Sequence, residues 1–492
     1  MFSNNFGRNA VALATVVATS FMIWFGSGLN PWWPLLWFAP LPVLLFAARS
    51  SLRGAALTAT ISWLAGSLNM WHYFSAVLHI PLAILAPILA VPALAFAGTV
   101  LLFRALLRKS ALWSALLAFP ATLVSFEYLL NLASPHGTAG SLSYSQLKCL
   151  PVLQLASITG PWGISFLMLL FSSSLALGLH LRRTAPGQAL RIAGAGTGVL
   201  ALALIFGAAR LAAPTPQQQV RVGLIASDLP ANVGIADEGA ETARLFRDYA
   251  GRIEELAAAG AQVIVLPEKL GVVADPGDEA ANAVFQSLAN KTKSTIVVGL
   301  LHVTPSARYN EARIYSPGAQ ELSYDKHHML PPIESMLRPG TTLALITEPS
   351  GTWGMAICKD MDFTPLSRQY GKAGAGLMLV PAWDFDLDRL WHGHIAVMRG
   401  VESGFSIVRS AKQGYLTVSD NRGRILAEAR SDSASFATLI AVAPAAHDAT
   451  LYLMLGDWFA WFALAALAFS LAQLYRPRNP RGAQKMAARN HR

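Results

Sequence analysis

Eight apolar runs constrain what this 492-residue chain can fold into. Seven precede residue 215, at about 10–28, 32–48, 54–74, 80–103, 111–131, 160–180 and 191–212, and the eighth covers about 451–475. A helix needs about 20 apolar residues to cross a bilayer, and most of the runs reach that length. Lipid offers no partner to backbone N–H and C=O groups, so such runs fold as helices. The second run is short and rich in proline (Pro31, Pro34, Pro40, Pro42), which leaves its ends open. Composition agrees: 13% of residues are charged, against about 25% in an ordinary soluble domain. Ser27-Gly28-Leu29-Asn30-Pro31 is a poor small-x-small cleavage site, so run one is read as a retained anchor.

The net charge of +10 could suggest a nucleic-acid partner. Its distribution argues for a membrane instead. Arg8 precedes run one, Arg49 and Arg53 separate runs two and three, and Arg104, Arg108 and Lys109 separate runs four and five. Arg182, Arg183 and Arg191 lie between runs six and seven, and six basic residues follow run eight. The intervening connections are nearly free of Lys and Arg. Cytoplasmic loops carry that excess, so both termini are expected in the cytoplasm. The expected organisation is a membrane domain over 1–212, a soluble domain over 213–450 on the opposite (periplasmic) side, a last span over 451–475 and a basic cytoplasmic tail over 476–492. Trp32, Trp33, Trp37, Trp458 and Trp461 fit interfacial aromatic belts.

The soluble section reads as layered α/β. Val220–Ile225, Val263–Leu266, Thr295–Leu301, Met355–Ile357 and Gly376–Val380 are continuous apolar strands, as in a sheet covered on both faces. Residues 239–259 have helical spacing. No glycine-rich phosphate loop is present, His327-His328 alone is weak evidence for a metal, and no cofactor is expected. The chain has two cysteines, Cys149 and Cys358, too few for a disulfide framework. Cys358 ends an apolar strand, where a nucleophile is presented; taken alone, it fits a buried structural thiol at least as well. Glu268 and Lys326 also follow strands. A carboxylate, an ammonium and a thiol at one sheet edge would make an acyl-transfer site.

Leu266-Pro267-Glu268, Tyr324-Asp325-Lys326-His327-His328 and Ile357-Cys358-Lys359-Asp360 together resemble the Glu-Lys-Cys motifs of the nitrilase (carbon–nitrogen hydrolase) superfamily. With spans on both sides, the chain resembles its membrane-embedded N-acyltransferase branch. Phe126-Glu127-Tyr128 and Leu153–Leu167 carry that resemblance into the membrane half. It implies a polytopic α-helical protein of about eight transmembrane helices with an inserted nitrilase-like αββα sandwich outside the cytoplasm. It implies Glu268 as base, Lys326 as oxyanion stabiliser, Cys358 as nucleophile and Glu334 as a second glutamate. Trp391, His392, Arg399 and Glu402 resemble the branch's Gln-His…Arg-Ala-x-Glu segment. The chain departs from the pattern in several places: Lys359 replaces an aromatic residue, Asp360 a glutamate, Leu266 and Lys269 the first and last residues of Trp-Pro-Glu-Thr, and Pro331-Pro332-Ile333-Glu334 the usual Val-Pro-Phe-Gly-Glu after Lys326. Lys359 is expected to offer its backbone N–H to an oxyanion hole and its charge to the thiol.

The resemblance further implies a phospholipid acyl donor, a lipidated apolipoprotein N-terminus as acceptor, a bilayer, and no nucleic acid. Acyl chains are costly to move through water, so the site is expected to open toward the membrane. An anchored amidase, with water as acceptor, shares the chemistry up to the acyl-enzyme. A transporter reading rests on Glu127, the one clear acid within a span, and leaves the three catalytic candidates unexplained.

Overall fold

The computed structural model describes residues 2–214, 218–276 and 279–475. The expected tail over 476–492 lies outside them.

Six runs become helices long and apolar enough to cross a membrane: Phe2–Gly26, Leu82–Arg108, Leu112–Ala133, Pro161–Leu181, Pro186–Ala212 and Trp458–Tyr475. The other two are shaped by local chemistry. In the second, proline-rich run a 3-10 turn, Trp33–Trp37, precedes a ten-residue helix, Pro40–Arg49. Proline lacks an N–H but suits the first turn of a helix, so the prolines divide the run and start its helix. The third run gives Leu52–Ser67, whose Ser51 cap accepts from the Gly54 N–H at 3.1 Å, then tightens into a 3-10 turn at Leu68–Met70 and widens into a π-helical turn at Tyr73–Val77. Run eight is interrupted: a short helix, Leu451–Leu455, stops at Gly456, whose φ of +63° favours glycine. Phe96, Phe103, Phe119 and Trp162 fill the core of the membrane half.

The soluble section holds thirteen strands among the described residues. They are β1 (Gln219–Ala226), β2 (Val263–Val265), β3 (Val272–Ala274), β4 (Thr295–Val303), β5 (Arg308–Tyr315), β6 (Leu322–Asp325), β7 (Leu345–Glu348), β8 (Gly351–Met355), β9 (Ala375–Trp383), β10 (Ser406–Lys412), β11 (Tyr415–Ser419), β12 (Ile425–Arg430) and β13 (Ala437–Pro444). One sheet runs β13-β1-β2-β4-β5-β6, with β3 beside β4; the other runs β12-β11-β10-β9-β8-β7. Val222, Val263, Met355, Leu379 and Val408 pack between the two sheets. Leu245, Phe246 and Tyr249 of helix Ala240–Ala258, with Phe285 of helix Glu279–Thr292, cover the first sheet. Helices Thr364–Lys372 and Trp391–Ser403 belong to the second. The result is a nitrilase-like αββα sandwich.

Helix Trp391–Ser403 is buried on both sides. Ala396 packs onto the second sheet, while Ile395, Met398 and Val401 pack with Leu153, Ile164 and Met168 of the membrane half. Polar bonds cross the same seam. Tyr73 Oη donates to Asp388 at 2.6 Å, and Gln154 Nε2 to the Arg422 carbonyl at 2.9 Å. The strand expected over Met355–Ile357 ends earlier, at Met355. Ile357 already belongs to the turn, because its N–H donates to the Asp360 carboxylate at 3.1 Å instead of to a neighbouring strand.

Candidate active site

Glu268 enters where the two sheets meet. β2 ends at Val265, and Gly299 then allows the backbone of Pro267 to approach; a Cβ there would lie 2.4 Å from the Pro267 carbonyl oxygen. The Glu268 N–H donates across to Ala382 at 3.3 Å, on the second sheet. Lys326 leaves β6 with its N–H on the Asn310 carbonyl at 2.8 Å. Cys358 opens the 3-10 turn Cys358–Asp362 after β8. Its φ is +43°, a left-handed conformation rare for a residue with a side chain. Such strain persists only where the surroundings over-determine it. Here Asp360 does so: it accepts from the Ile357, His327 and His328 N–H groups and from Tyr324 Oη at 2.8–3.1 Å. One buried carboxylate therefore ties the thiol's turn to the segment that carries Lys326.

The side chains converge. Lys326 Nζ donates to Glu268 at 2.9 Å and to Glu334 at 2.8 Å, and all three are buried. Asn310 Nδ2 donates to the same two carboxylates at 2.6 and 2.8 Å. Lys269 Nζ lies 2.5 Å from Glu334 and 3.7 Å from Glu268. Cys358 Sγ meets the Trp383 carbonyl oxygen at 3.7 Å and feels the charges of Glu268 and Lys326.

Burial pushes the Cys358 thiol well above the usual range, and Glu268 pushes the same way; Lys326 and Arg409 oppose them. The thiol therefore rests protonated. Burial works against the Lys326 ammonium, but Glu268 and Glu334 more than offset it, so it stays charged. Burial alone would raise Glu334; Lys326 and Lys269 overcome it and hold the carboxyl down to about 2.

The other sequence candidates lie on the seam with the membrane half. Lys359 is buried, with Nζ 3.2 Å from His136 Nδ1 and 3.9 Å from Asp362. Burial lowers its own pKa, with Asp362 opposing. Its side chain turns toward His136 while its charge still interacts with Cys358, against the larger upward push of burial on the thiol. His392 stands 3.6 Å from Asp362 and 3.3 Å from Asp388. Burial opposes its charge, yet those carboxylates raise it to about 10. Arg399 donates to Glu402 and to Tyr144 Oη, each at 2.8 Å. Trp391 packs edge-on against Tyr73 and lines a cavity of about 270 Å³ among the membrane helices. Leu36, Trp63, Leu89 and Leu123 make that cavity apolar; Glu127 and Thr138 also line it, whereas Cys358, Glu268 and Lys326 do not. Thr138 links it to the thiol's turn through a bond to the Asp362 carbonyl at 2.8 Å. Asn310, Lys269, Asp360 and Trp383 were not singled out as functional from sequence. Position alone hides the first two: each becomes recognisable only once β5 lies beside the loop after β2.

Known proteins can now be compared. Residues 11–174 match the apolipoprotein N-acyltransferase N-terminal domain, and residues 226–443 match the carbon–nitrogen hydrolase family. The apolipoprotein N-acyltransferase of Geobacter metallireducens is 26% identical, over 90% of this chain and 91% of that protein. Both halves of the chain are similar to apolipoprotein N-acyltransferases. The relatives in Shewanella oneidensis, 26% identical over 84% of this chain and 82% of its own length, and in Haemophilus ducreyi, 25% identical over 87% and 90%, carry the same name. The similarity thus extends over both halves, and an enzyme of the carbon–nitrogen hydrolase and acyltransferase kind accounts for a thiol beside buried ion pairs.

Proposed function

We propose that the chain transfers a fatty acyl group from a phospholipid to the N-terminal α-amine of a diacylglyceryl-cysteine apolipoprotein, through a thioester on Cys358. The observation that carries this reading is the Lys326–Glu268 pair at 2.9 Å beside the turn that presents Cys358. A protonated, buried thiol needs a base at the moment of attack, and Glu268 takes that role. The sulfur attacks the ester carbonyl, Lys326 stabilises the oxyanion, and the lysophospholipid leaves with the proton held by Glu268. The amine then attacks the thioester, and Cys358 recovers its proton. Glu334 supports Lys326 from behind. Lys359, Trp391, His392, Arg399 and Glu402 hold the centre against the membrane half.

The cavity beside Trp391 offers acyl chains an apolar environment next to this centre, which fits a donor arriving from the bilayer. In the full reading, eight segments cross the inner membrane, both termini are cytoplasmic and the sandwich faces the periplasm. The relatives share the membrane half as well as the sandwich, which favours acyl transfer over a simple amidase. Purified protein given a phospholipid and a lipopeptide with a free α-amine should form the amide. Free fatty acid as the sole product, with the acceptor untouched, would instead mean that water is the acceptor.

A further inference from the structure

Lys269 occupies the centre without a role in the reaction above. It follows Glu268 directly, its φ is +48°, and its side chain is buried between the two glutamates. Left-handed backbone is costly for a residue with a side chain, yet here it delivers an ammonium to the ion-pair cluster. We propose that Lys269 is the second counter-ion of the acyl-transfer centre. It pairs Glu334, so that Lys326 can be shared with the charge that develops on Cys358 and then on the carbonyl oxygen.

The argument is one of charge balance. At rest the cluster holds two carboxylates, Glu268 and Glu334, and two ammonium groups, Lys326 and Lys269. When the thiol proton moves to Glu268, the anions become the thiolate and Glu334. When sulfur bonds to the carbonyl carbon, they become the oxyanion and Glu334. At each stage two cations face two anions. Without Lys269 one anion would be unpaired in a buried site, where an uncompensated charge is expensive. The neighbouring Lys412 does not fill this place. Its Nζ donates to the carbonyls of Lys269 and Gly234 at 3.0 and 3.1 Å and sits 3.8 Å from the Trp383 ring centre. Burial, helped by Lys269 and opposed by Glu268, lowers it to about 7. Arg409 is held by Asp384 in a two-bond pair. Lys269 is thus a positioning residue that acts through Glu334.

The catalytic consequence rests on the acyl-transfer reading, but the test does not. The rate at which iodoacetamide alkylates Cys358 is followed against pH, without lipid, by site-resolved mass spectrometry on the full chain. Lys269→Met should slow alkylation about tenfold and move its rise upward by about one pH unit, the low end of what losing a nearby opposite charge does to a pKa. Lys269→Arg should restore most of the rate. In a Glu334→Gln background the surplus anion is gone, so adding Lys269→Met should cost little. A purely structural Lys269 would behave differently: its loss would loosen the site and speed alkylation. Faster alkylation, a profile that overlays the parent's, or an equal loss in both backgrounds would each overturn the proposal. Failure of the parent chain to transfer an acyl group, with the alkylation changes as expected, would count against the function instead.

Discussion

At the scale of single residues, the account depends on a thiol that stays protonated until Glu268 removes its proton. Cys358→Ser should lose most acyl transfer, because a hydroxyl is far less acidic than a thiol. Cys149→Ser should be nearly silent, since Cys149 packs among Tyr144 and Val152 away from the ion pairs. Glu268→Gln should slow acylation by about 10²–10⁴, the usual contribution of a positioned base; single-turnover acylation checks all three variants. Glu334 supplies a pH signature. Its folded value, about 2, lies below the ordinary ~4.3 of a glutamate. Its stabilising contribution is therefore present above about pH 4.3 and is lost as pH falls toward 2. The gap in unfolding midpoint between the parent and Glu334→Gln should narrow on acidification from pH ~6 to ~3.

At the scale of elements, the decisive contact is between the loop after helix Leu112–Ala133 and the turn that bears the thiol. Thr138 donates to the Asp362 carbonyl from both its N–H, at 3.1 Å, and its hydroxyl. Gly137 has φ +53°, and a Cβ there would come within 2.5 Å of the same oxygen. Gly137→Ala should cost about 1–3 kcal/mol from the backbone alone and should lower the acylation rate by displacing the turn; denaturant unfolding and single-turnover acylation measure the two effects. Sequence reading reached the elements built from apolar runs, such as helix Ala240–Ala258 and strands β1, β2, β4 and β9. It missed β5 because Arg308–Tyr315 carries Asn310, Glu311 and Arg313. Their burial is made possible by ion pairs and hydrogen bonds that no periodicity reveals: Arg313 to Glu311 at 2.8 Å, and Asn310 to Glu268. Lys269 stands out in sequence only as a departure from Trp-Pro-Glu-Thr; its place in the ion-pair cluster is hidden for the same reason, since a lysine after a strand ordinarily reads as a solvated charge.

At the scale of the whole molecule, the apolar runs and three short motifs made the two-part architecture and the family legible before any coordinates. Proline and glycine decided what the runs could not: where run two breaks into a turn and a ten-residue helix, and where Gly456 interrupts run eight. The seam between halves was legible only as a resemblance, because its partners are far apart in sequence, as with Tyr73 and Asp388. The proposed topology has its own check. A reporter active only outside the cytoplasm should work when fused after Ala213 and fail after Arg183; the reverse would move the sandwich to the other compartment. The central claim is that Cys358 carries the acyl group. Mass spectrometry of the purified chain after incubation with phospholipid, without acceptor, tests it directly. The account predicts an acyl adduct on the peptide containing Cys358, discharged when a lipopeptide with a free α-amine is added. An unmodified Cys358, with amide product still formed once the acceptor is present, would contradict it.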